Sequence, residues 1–354
     1  MHLPARLSVN PARAARALLA LVVAACAAAP ALAQTRTLVL STYGLNNDLF
    51  KKHVYEPFEA RCGYRIVLET GLANDRLAKL EARRNNPNVD LVQVTDFLAL
   101  EASQKGLLQP IDRRQLKNLD QIYDFARDPL RNGEAVAYTL YSVGLVVRTD
   151  KPSATIASWK DLWRPELKGR LLLANITGNQ GLAQLFMADR TWGGMNTDMS
   201  TGMARIGEIK SNAVTFYAQT AQMTSLFAQD EAWVAPVGRF AWLNLQKTGK
   251  PLKWVVPREG QVGMMNTISI VKGSRNADLA HQLLDFWLSK DVQTALANDL
   301  ADSPVNRNAR PKPEAAEALT WGQAQIDSLV FMKPEMVVRE RAGWITSWNR
   351  MVAK

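Results

Sequence analysis

Apolar residues in the first third of the chain occur in short runs, separated by longer stretches of helical periodicity. The run Thr37–Thr42 predicts a strand that ends at Tyr43 and Gly44. The repeated β-α order predicts parallel strands joined by right-handed crossovers, which is an α/β fold. Further strands are predicted over 65–70 and 89–95, and helices over 50–61, over 75–84 and through 104.

The second half of the chain continues the alternation after one long β-type stretch over 135–147. Ser158 and Asp161 have the spacing of a capping box and predict a short helix. The helix over 276–289 places Leu279, Leu283, Leu284 and Trp287 on one face, so we expect His281, which lies off that face, to be exposed. The other predicted elements are strands over 170–174, 213–216, 233–237, 253–256 and 265–271, and a helix over 181–190.

Length and composition are those of a globular protein that can form two domains. The chain has 354 residues, of which 47% are apolar and 21% are charged. These values exclude disordered, collagen-like and disulfide-stapled proteins.

Residues 1–33 have the pattern of a signal peptide. A basic start is followed by an apolar stretch over 17–29, and Pro30 precedes small residues that predict cleavage before Gln34. We therefore expect a soluble protein that is exported to the periplasm. An alternative is a lipid anchor on Cys26, which ends a sequence similar to a lipobox.

The mature chain has few residues suited to metal binding or nucleophilic catalysis. Cys62 is the single remaining cysteine, and His53 and His281 lie far apart without a paired-histidine motif. The net charge of +10 is spread without a basic block of the kind that binds nucleic acid. We therefore expect no enzyme activity, no cofactor, no metal and no nucleic-acid partner.

One segment carries a specific family resemblance. Residues 158–173, SWKDLWRPELKGRLLL, resemble the spermidine/putrescine-binding branch of type II periplasmic solute-binding proteins of ABC importers. Supporting matches are GLLQPID over 106–112, PREG over 257–260 and SPVN over 303–306. The resemblance covers nearly all of the mature chain.

This resemblance implies two α/β lobes that are hinged by crossing strands and close on a solute. The expected division is a first lobe over 34–141 and 265–304, and a second lobe over 142–264 and 305–354. The resemblance also implies a monomer whose partners are a small-molecule solute and an ABC permease at the inner membrane. The long stretch over 135–147 fits a strand that crosses the hinge.

Ligands of such sheets bind beyond the carboxyl ends of strands, and the family places its ligand contacts there too. The candidate binding residues are those at the predicted strand ends: Tyr43, Gly44, Thr95, Asp96, Phe97, Asn175, Thr177, Asn179, Gly238, Arg239, Met264 and Asn266.

The candidate residues depart from the polyamine-binding pattern. Amides stand at Asn175, Asn179 and Asn266 where the branch carries acids, and Gly238 and Met264 replace aromatic residues. Arg239 adds a guanidinium group. We therefore expect a solute with a carboxylate, phosphonate or similar anionic group, clamped bidentately by Arg239.

The remaining candidates have supporting roles in this hypothesis. The amides and Thr177 would donate hydrogen bonds, together with backbone amides over 177–179. Tyr43 and Phe97 would form apolar walls, and Asp96 would bind an ammonium group.

Other interpretations remain open at this point. Arg239 is equally compatible with a surface or interdomain position, Asp96 with a helix cap, and the asparagines with turn chemistry. Alternative functions are polyamine transport, an exported enzyme without a recognisable motif, ferric-ion capture and a sensory receptor.

Overall fold

A computed structural model describes residues 36–194 and 197–353; the predicted signal peptide and Cys26 lie outside this part. One mixed sheet passes through both lobes of the molecule, in the order β2-β1-β3-β10-β5-β8-β6-β7. The strands are β1 (Thr37–Thr42), β2 (Arg65–Thr70), β3 (Leu91–Thr95), β4 (Leu108–Gln109), β5 (Val136–Arg148), β6 (Leu171–Ala174), β7 (Ala213–Tyr217), β8 (Val234–Gly238), β9 (Leu252–Val255), β10 (Gln261–Val271), β11 (Ser303–Pro304) and β12 (Leu329–Phe331).

Helices cover the sheet on both sides. A π-helical turn at Lys51–Tyr55 joins the first two, and within the described ranges seven short 3-10 helices lie in the connections. The α-helices are α1 (Asn47–Phe50), α2 (Glu56–Cys62), α3 (Ala73–Ala82), α4 (Asp96–Gln104), α5 (Asp124–Arg127), α6 (Asn179–Thr191), α7 (Ser200–Ile209), α8 (Thr220–Ala228), α9 (Trp242–Gln246), α10 (Ala277–Leu288), α11 (Lys290–Asn298), α12 (Pro313–Ala318), α13 (Gln323–Asp327) and α14 (Pro334–Ala353).

Each lobe is built on parallel strands, as the β-α alternation predicts. In the first lobe β1 pairs in parallel with β2 and β3, and in the second lobe β6 pairs in parallel with β7 and β8. The predicted bounds of β1 and β2 coincide with those observed. The α/β class and the two-lobe fold are confirmed, while the expected division at 141, 264 and 304 stays a prediction.

Two long antiparallel strands connect the lobes. β5 and β10 pair from Val262 opposite Val143 to Ile268 opposite Val136. β10 also pairs with β3 of the first lobe, and β5 pairs with β8 of the second. The short β11 pairs with β5 at Leu140 and Thr139, so a third segment of chain crosses at the same place.

Two of the segments that carry the family resemblance contact each other. Ser158 and Asp161 form the predicted capping box at the start of a 3-10 helix. Glu259 of the PREG segment accepts hydrogen bonds from the Ser158 hydroxyl and from the Trp159 backbone N–H (3.1 Å). The Trp159 indole donates to the Gly260 carbonyl at 2.9 Å. The two segments, which lie about one hundred residues apart in the chain, therefore pack together through hydrogen bonds.

The C-terminal helix α14 packs against both lobes, and the sequence analysis did not predict it. It contacts α4 of the first lobe and α7 of the second. Trp344 and Trp348 are buried, and the Trp344 indole donates to the Thr197 carbonyl at 2.9 Å. Among the described residues, no helix combines the length and the apolar character needed to cross a membrane.

His281 is buried, contrary to the expected exposure. Its Nε2 accepts a hydrogen bond from the Asp112 backbone N–H at 2.8 Å, and its Nδ1 lies 2.7 Å from the Ala277 carbonyl. The neutral ring is buried at low cost because both nitrogens have partners.

Gly181 in the first turn of α6 is expected to tolerate no side chain. A Cβ there would lie 2.0 Å from the Asn175 carbonyl oxygen and 2.7 Å from the Ile176 Cα. Gly181→Ala should therefore lower the free energy of unfolding by about 1–3 kcal/mol, measured by urea denaturation.

Gly343→Ala is the matched control, because nothing lies within 4 Å of a Cβ at that helical position. It should raise stability by about 0.5–1 kcal/mol. Equal effects of the two substitutions would contradict the packing argument at Gly181.

Candidate functional site

Three strand residues form a row across the region where the lobes join. Thr95 on β3 lies opposite Asn266 on β10, which lies opposite Thr139 on β5. Directly opposite residues of antiparallel strands point to the same face, and so do residues two positions apart. Tyr141 and Met264, which also lie opposite each other, therefore share this face. We call this row, which lies on one face of the strands that join the lobes, the floor.

A cavity of about 150 Å³ lies on the second-lobe side of this floor. The Asn179 amide donates to the Tyr141 hydroxyl at 3.2 Å, and the Phe240 ring packs edge-on against Tyr141 at 5.2 Å. Its walls are thus polar groups and aromatic rings, with no charged side chain. The lining residues are Tyr141, Ala174, Asn175, Gly178, Asn179, Gln180, Tyr217, Ala218 and Phe240.

The loop before α6 positions Asn179 at this cavity. Asn175 Oδ1 accepts hydrogen bonds from the Thr177 backbone N–H at 3.0 Å and from its hydroxyl at 2.8 Å. Gly178 is the N-cap of the helix. The first N–H groups of an α-helix lack partners within the helix, so α6 presents donors at this end of the cavity.

Tyr43 and Gly44 follow β1 on the first-lobe side. The Arg76 guanidinium lies 4.8 Å from the centre of the Tyr43 ring, and burial raises the pKa of Tyr43 to about 12. The Tyr43 hydroxyl is buried and has no hydrogen-bond partner among the described residues. No atom lies within 4 Å of a Cβ built on Gly44, so the chain leaves open space there.

Asp96 is the first residue of α4, and its Oδ1 accepts the Phe97 backbone N–H at 2.8 Å. Burial raises the pKa of Asp96 to about 7, although this hydrogen bond acts in the opposite direction. Within the described ranges, no lysine, arginine or histidine forms an ion pair with it. Asp96 thus accepts one N–H group of the first helical turn and has no cation partner among the described residues.

Phe97 and Met264 are buried in the hydrophobic core, with 4% and 3% exposure. Their side chains therefore pack inside the protein, unlike the open apolar wall expected for Phe97. The Arg341 guanidinium of α14 lies 5.3 Å from the centre of the Phe97 ring.

Arg239 also differs from the expectation. Its guanidinium lies 4.7 Å from the centre of the Trp254 ring and 5.9 Å from that of Trp242, and it donates to the Glu317 carbonyl. Burial lowers the pKa of Arg239 to about 10. The side chain is absent from the cavity lining, so its partners in this structure are parts of the protein.

Comparison with known proteins assigns the family. Residues 53–320 match the family described as bacterial extracellular solute-binding protein. The chain belongs to this family. It is 27% identical to the spermidine/putrescine-binding periplasmic protein of Salmonella typhimurium, over 74% of this chain and 76% of that protein.

Two further relatives of this solute-binding protein are informative. A periplasmic protein of S. typhimurium, provisionally named for 2-aminoethylphosphonate binding, is 23% identical over 85% of this chain and 88% of its own length. A crystal structure of an ABC transporter protein from Clostridium perfringens is 31% identical, with a TM-score of 0.82, and covers 89% of this chain and 99% of that one. The chain is therefore an extracellular solute-binding protein of an ABC transporter, located in the periplasm.

The sequence analysis missed several residues of the solute-binding protein's cleft. Phe240 directly follows the candidates Gly238 and Arg239. A Cβ on Gly238 would lie 2.4 Å from the Phe240 ring, so the glycine at 238 is the sequence feature that could have indicated this contact. Arg341 donates to the Thr177 carbonyl at 3.4 Å and thus links the two lobes. Tyr141 and Asp302 come from the crossing segments. Nothing in the local sequence distinguishes Arg341, because it lies on a helix that was not predicted.

Arg239→Ala should destabilise the fold. The change removes two ring contacts and leaves the Glu317 carbonyl without its donor, so unfolding free energy should fall by about 1–3 kcal/mol in urea denaturation. Arg258→Ala, at an exposed arginine, is the control and should stay within about 0.5 kcal/mol of the parent. If Arg239→Ala is as stable as the parent, the contacts of the guanidinium with the two rings and the Glu317 carbonyl do not stabilise the fold.

Asp96 should make stability fall as pH rises. Its pKa of about 7 exceeds the value of about 3.9 in an unfolded chain, so between these values the folded state binds more protons. Unfolding free energy should therefore decrease with pH in this window, by up to about 1.4 kcal/mol per pH unit from this group.

Asp96→Asn should remove this contribution and keep the helix cap. The measurement is chemical denaturation of parent and variant from pH 4 to pH 8. Asp48→Asn, at an exposed position, should follow the parent. Parallel pH profiles for the parent and Asp96→Asn would contradict the raised pKa.

Proposed function

We propose that this protein captures a small polar solute between its lobes by closing on it, and then delivers it to an ABC permease at the inner membrane. The observation that carries this proposal is the cavity between Tyr141 of the hinge and the start of α6. Strands β5 and β10, which belong to both lobes, lie beneath it. A solute that contacts both sides would stabilise the closed form.

The lining of the cavity supports a solute with an anionic group. Asn175, Asn179 and Gln180 provide amides, and no carboxylate lines the space. The start of α6 favours negative charge because its N–H groups and its dipole point outward. A carboxylate or phosphonate group would accept hydrogen bonds from these donors.

The same solute would carry an ammonium group. Asp96 lies beside Thr95 at the cleft floor and has no cation partner among the described residues. A buried carboxyl is stabilised in its charged form by a nearby positive charge. The proposed class is therefore a small zwitterion, and the relative named for 2-aminoethylphosphonate is consistent with it.

Polyamine binding is the second candidate function. The internal position of Arg239 removes the positive charge that would repel a polyamine from the cleft. Relatives named for spermidine and putrescine binding support this alternative. We propose further that the protein acts as a monomer, without a cofactor, a catalytic site or a nucleic-acid partner.

Isothermal titration calorimetry of the ligand-stripped protein distinguishes the two candidates. Probes are 2-aminoethylphosphonate and 4-aminobutyrate as zwitterions, and putrescine as a diamine. We expect the zwitterions to bind and putrescine to bind at least about tenfold more weakly. Tight putrescine binding without zwitterion binding would replace the first candidate by the second.

Asn179→Ala tests the anion-binding part of the cavity. It removes the amide that contacts Tyr141 and should weaken binding of both zwitterions by about tenfold, which corresponds to about 1.4 kcal/mol. Asn308→Ala is the control at an exposed asparagine and should leave affinity unchanged. Equal affinities in the two variants would contradict the placement of the solute at α6.

A further inference from the structure

Asp302 lies where the third crossing segment meets the first lobe. It directly precedes β11, which pairs with Leu140 and Thr139 of β5. The carbonyl of the preceding residue, Ala301, accepts a hydrogen bond from the Asn46 amide at 3.0 Å. Because Asn46 is in the loop that follows β1, Asp302 lies at the cleft end of the first lobe.

The cleft floor continues to this carboxyl group. Thr139 belongs to the row that it forms with Asn266 and Thr95, and its hydroxyl donates to the carbonyl of Ser303, the neighbour of Asp302, at 2.9 Å. Tyr141, two residues along the same strand and on the same face, contacts Asn179 at the cavity. These two strand positions are roughly 7 Å apart. Asp302 lies near the Thr139 end of this part of the floor, and the start of α6 lies at its Tyr141 end.

The Asp302 carboxyl has an unmet requirement for a positive partner. Its Oδ2 is buried and has no hydrogen-bond partner in the described part of the chain. No lysine, arginine or histidine in that part forms an ion pair with it. Burial raises the pKa of Asp302 to about 8. An unpartnered buried carboxyl either holds a proton or awaits a cation.

The surrounding residues provide oxygen acceptors and aromatic rings, and none of them provides a cation. The Tyr55 hydroxyl is buried without a partner, and its pKa is raised by burial and also by the nearby charge of Asp302. The pKa of Tyr138 is raised well above its usual value for the same two reasons. Neither phenol changes charge near neutral pH.

The buried cation of the first lobe is already engaged. Arg76 donates to the Gly71 carbonyl, the Ser41 hydroxyl and the Gln93 carbonyl, at 3.0, 3.2 and 2.9 Å. It stacks on Tyr43 and therefore does not neutralise Asp302. A cation that pairs with Asp302 would therefore come from outside the described part of the protein.

We propose that Asp302, assisted by the Tyr55 hydroxyl, binds a primary ammonium group of the solute. This inference rests on the proposed cleft function and names the group that recognises the amine end. Asp302 suits this role better than Asp96 does, because Asp96 Oδ1 already accepts the Phe97 N–H while Asp302 Oδ2 accepts nothing. The solute then spans from Asp302 to the start of α6.

The test measures affinities of 4-aminobutyrate and 2-aminoethylphosphonate for the full mature chain and its Asp302→Asn variant by calorimetry. Removal of one member of a buried charge pair should weaken binding of both amines by about 30-fold or more. Asp278→Asn, at an exposed carboxyl away from the cleft, is the control and should leave both affinities unchanged. Thermal unfolding should show that Asp302→Asn is folded and at least as stable as the parent.

The number of protons released on ligand binding distinguishes direct binding at Asp302 from a purely structural effect of Asp302→Asn. When an ammonium group binds at pH 7, Asp302 should ionise and release close to one proton, measured by titration in two buffers of different ionisation enthalpy. Asp278→Asn should retain this release and Asp302→Asn should lose it.

The possible failures are distinguishable. If the parent binds the probes and Asp302→Asn binds them equally well, the amine site at Asp302 is overturned while the cleft function stands. If the parent binds no amine but still binds simple carboxylates, the ammonium inference is overturned as well. If neither class binds, both the proposed solute class and this inference are wrong.

Discussion

The pairing of β5 with β10 is the constraint on which the rest of the molecule depends. These strands belong to both lobes, so the side chains on one of their faces line the space between the lobes. Because side chains alternate along a strand, Thr139 and Tyr141 lie on the face opposite to that of Leu140, which packs in the core of the first lobe. The hinge and the floor of the binding site are thus the same backbone.

Several buried polar atoms near this floor have no hydrogen-bond partner among the described residues. Buried donors and acceptors in proteins nearly always have partners, and His281 and Gln293 illustrate this in the core of the first lobe. At the cleft, Tyr43, Tyr55, Thr95 and Asp302 each keep a buried atom that no described residue contacts. Burying an unpaired polar atom costs free energy, and a bound solute that supplies the missing hydrogen bond would offset this cost.

The two lobes are also connected outside the hinge. Helix α14 packs on α4 and α7, and Arg341 extends from it to the Phe97 ring and the Thr177 carbonyl. Helix α14 therefore joins the two lobes in addition to the crossing strands, because one charged side chain contacts residues of both.

Periodicity predicted most of the elements, because apolar spacing reports which face each segment buries. It placed β1 and β2 with their observed bounds, and the spacing of Ser158 and Asp161 identified a real cap. It failed for His281, since a polar residue can be buried when a distant N–H group satisfies it. The strand ends at Asn175 and Asn179 were found because parallel strands expose their carboxyl ends at one edge.

The sequence by itself determined the alternation of elements, the family and the general position of the cleft, which all follow from local patterns. Only the tertiary structure decided how individual side chains are used. Arg239 packs inside the protein against Trp254 and donates to the Glu317 carbonyl, and Asp302 Oδ2 has no hydrogen-bond partner among the described residues. These outcomes depend on contacts between segments far apart in the chain, which no local spacing encodes.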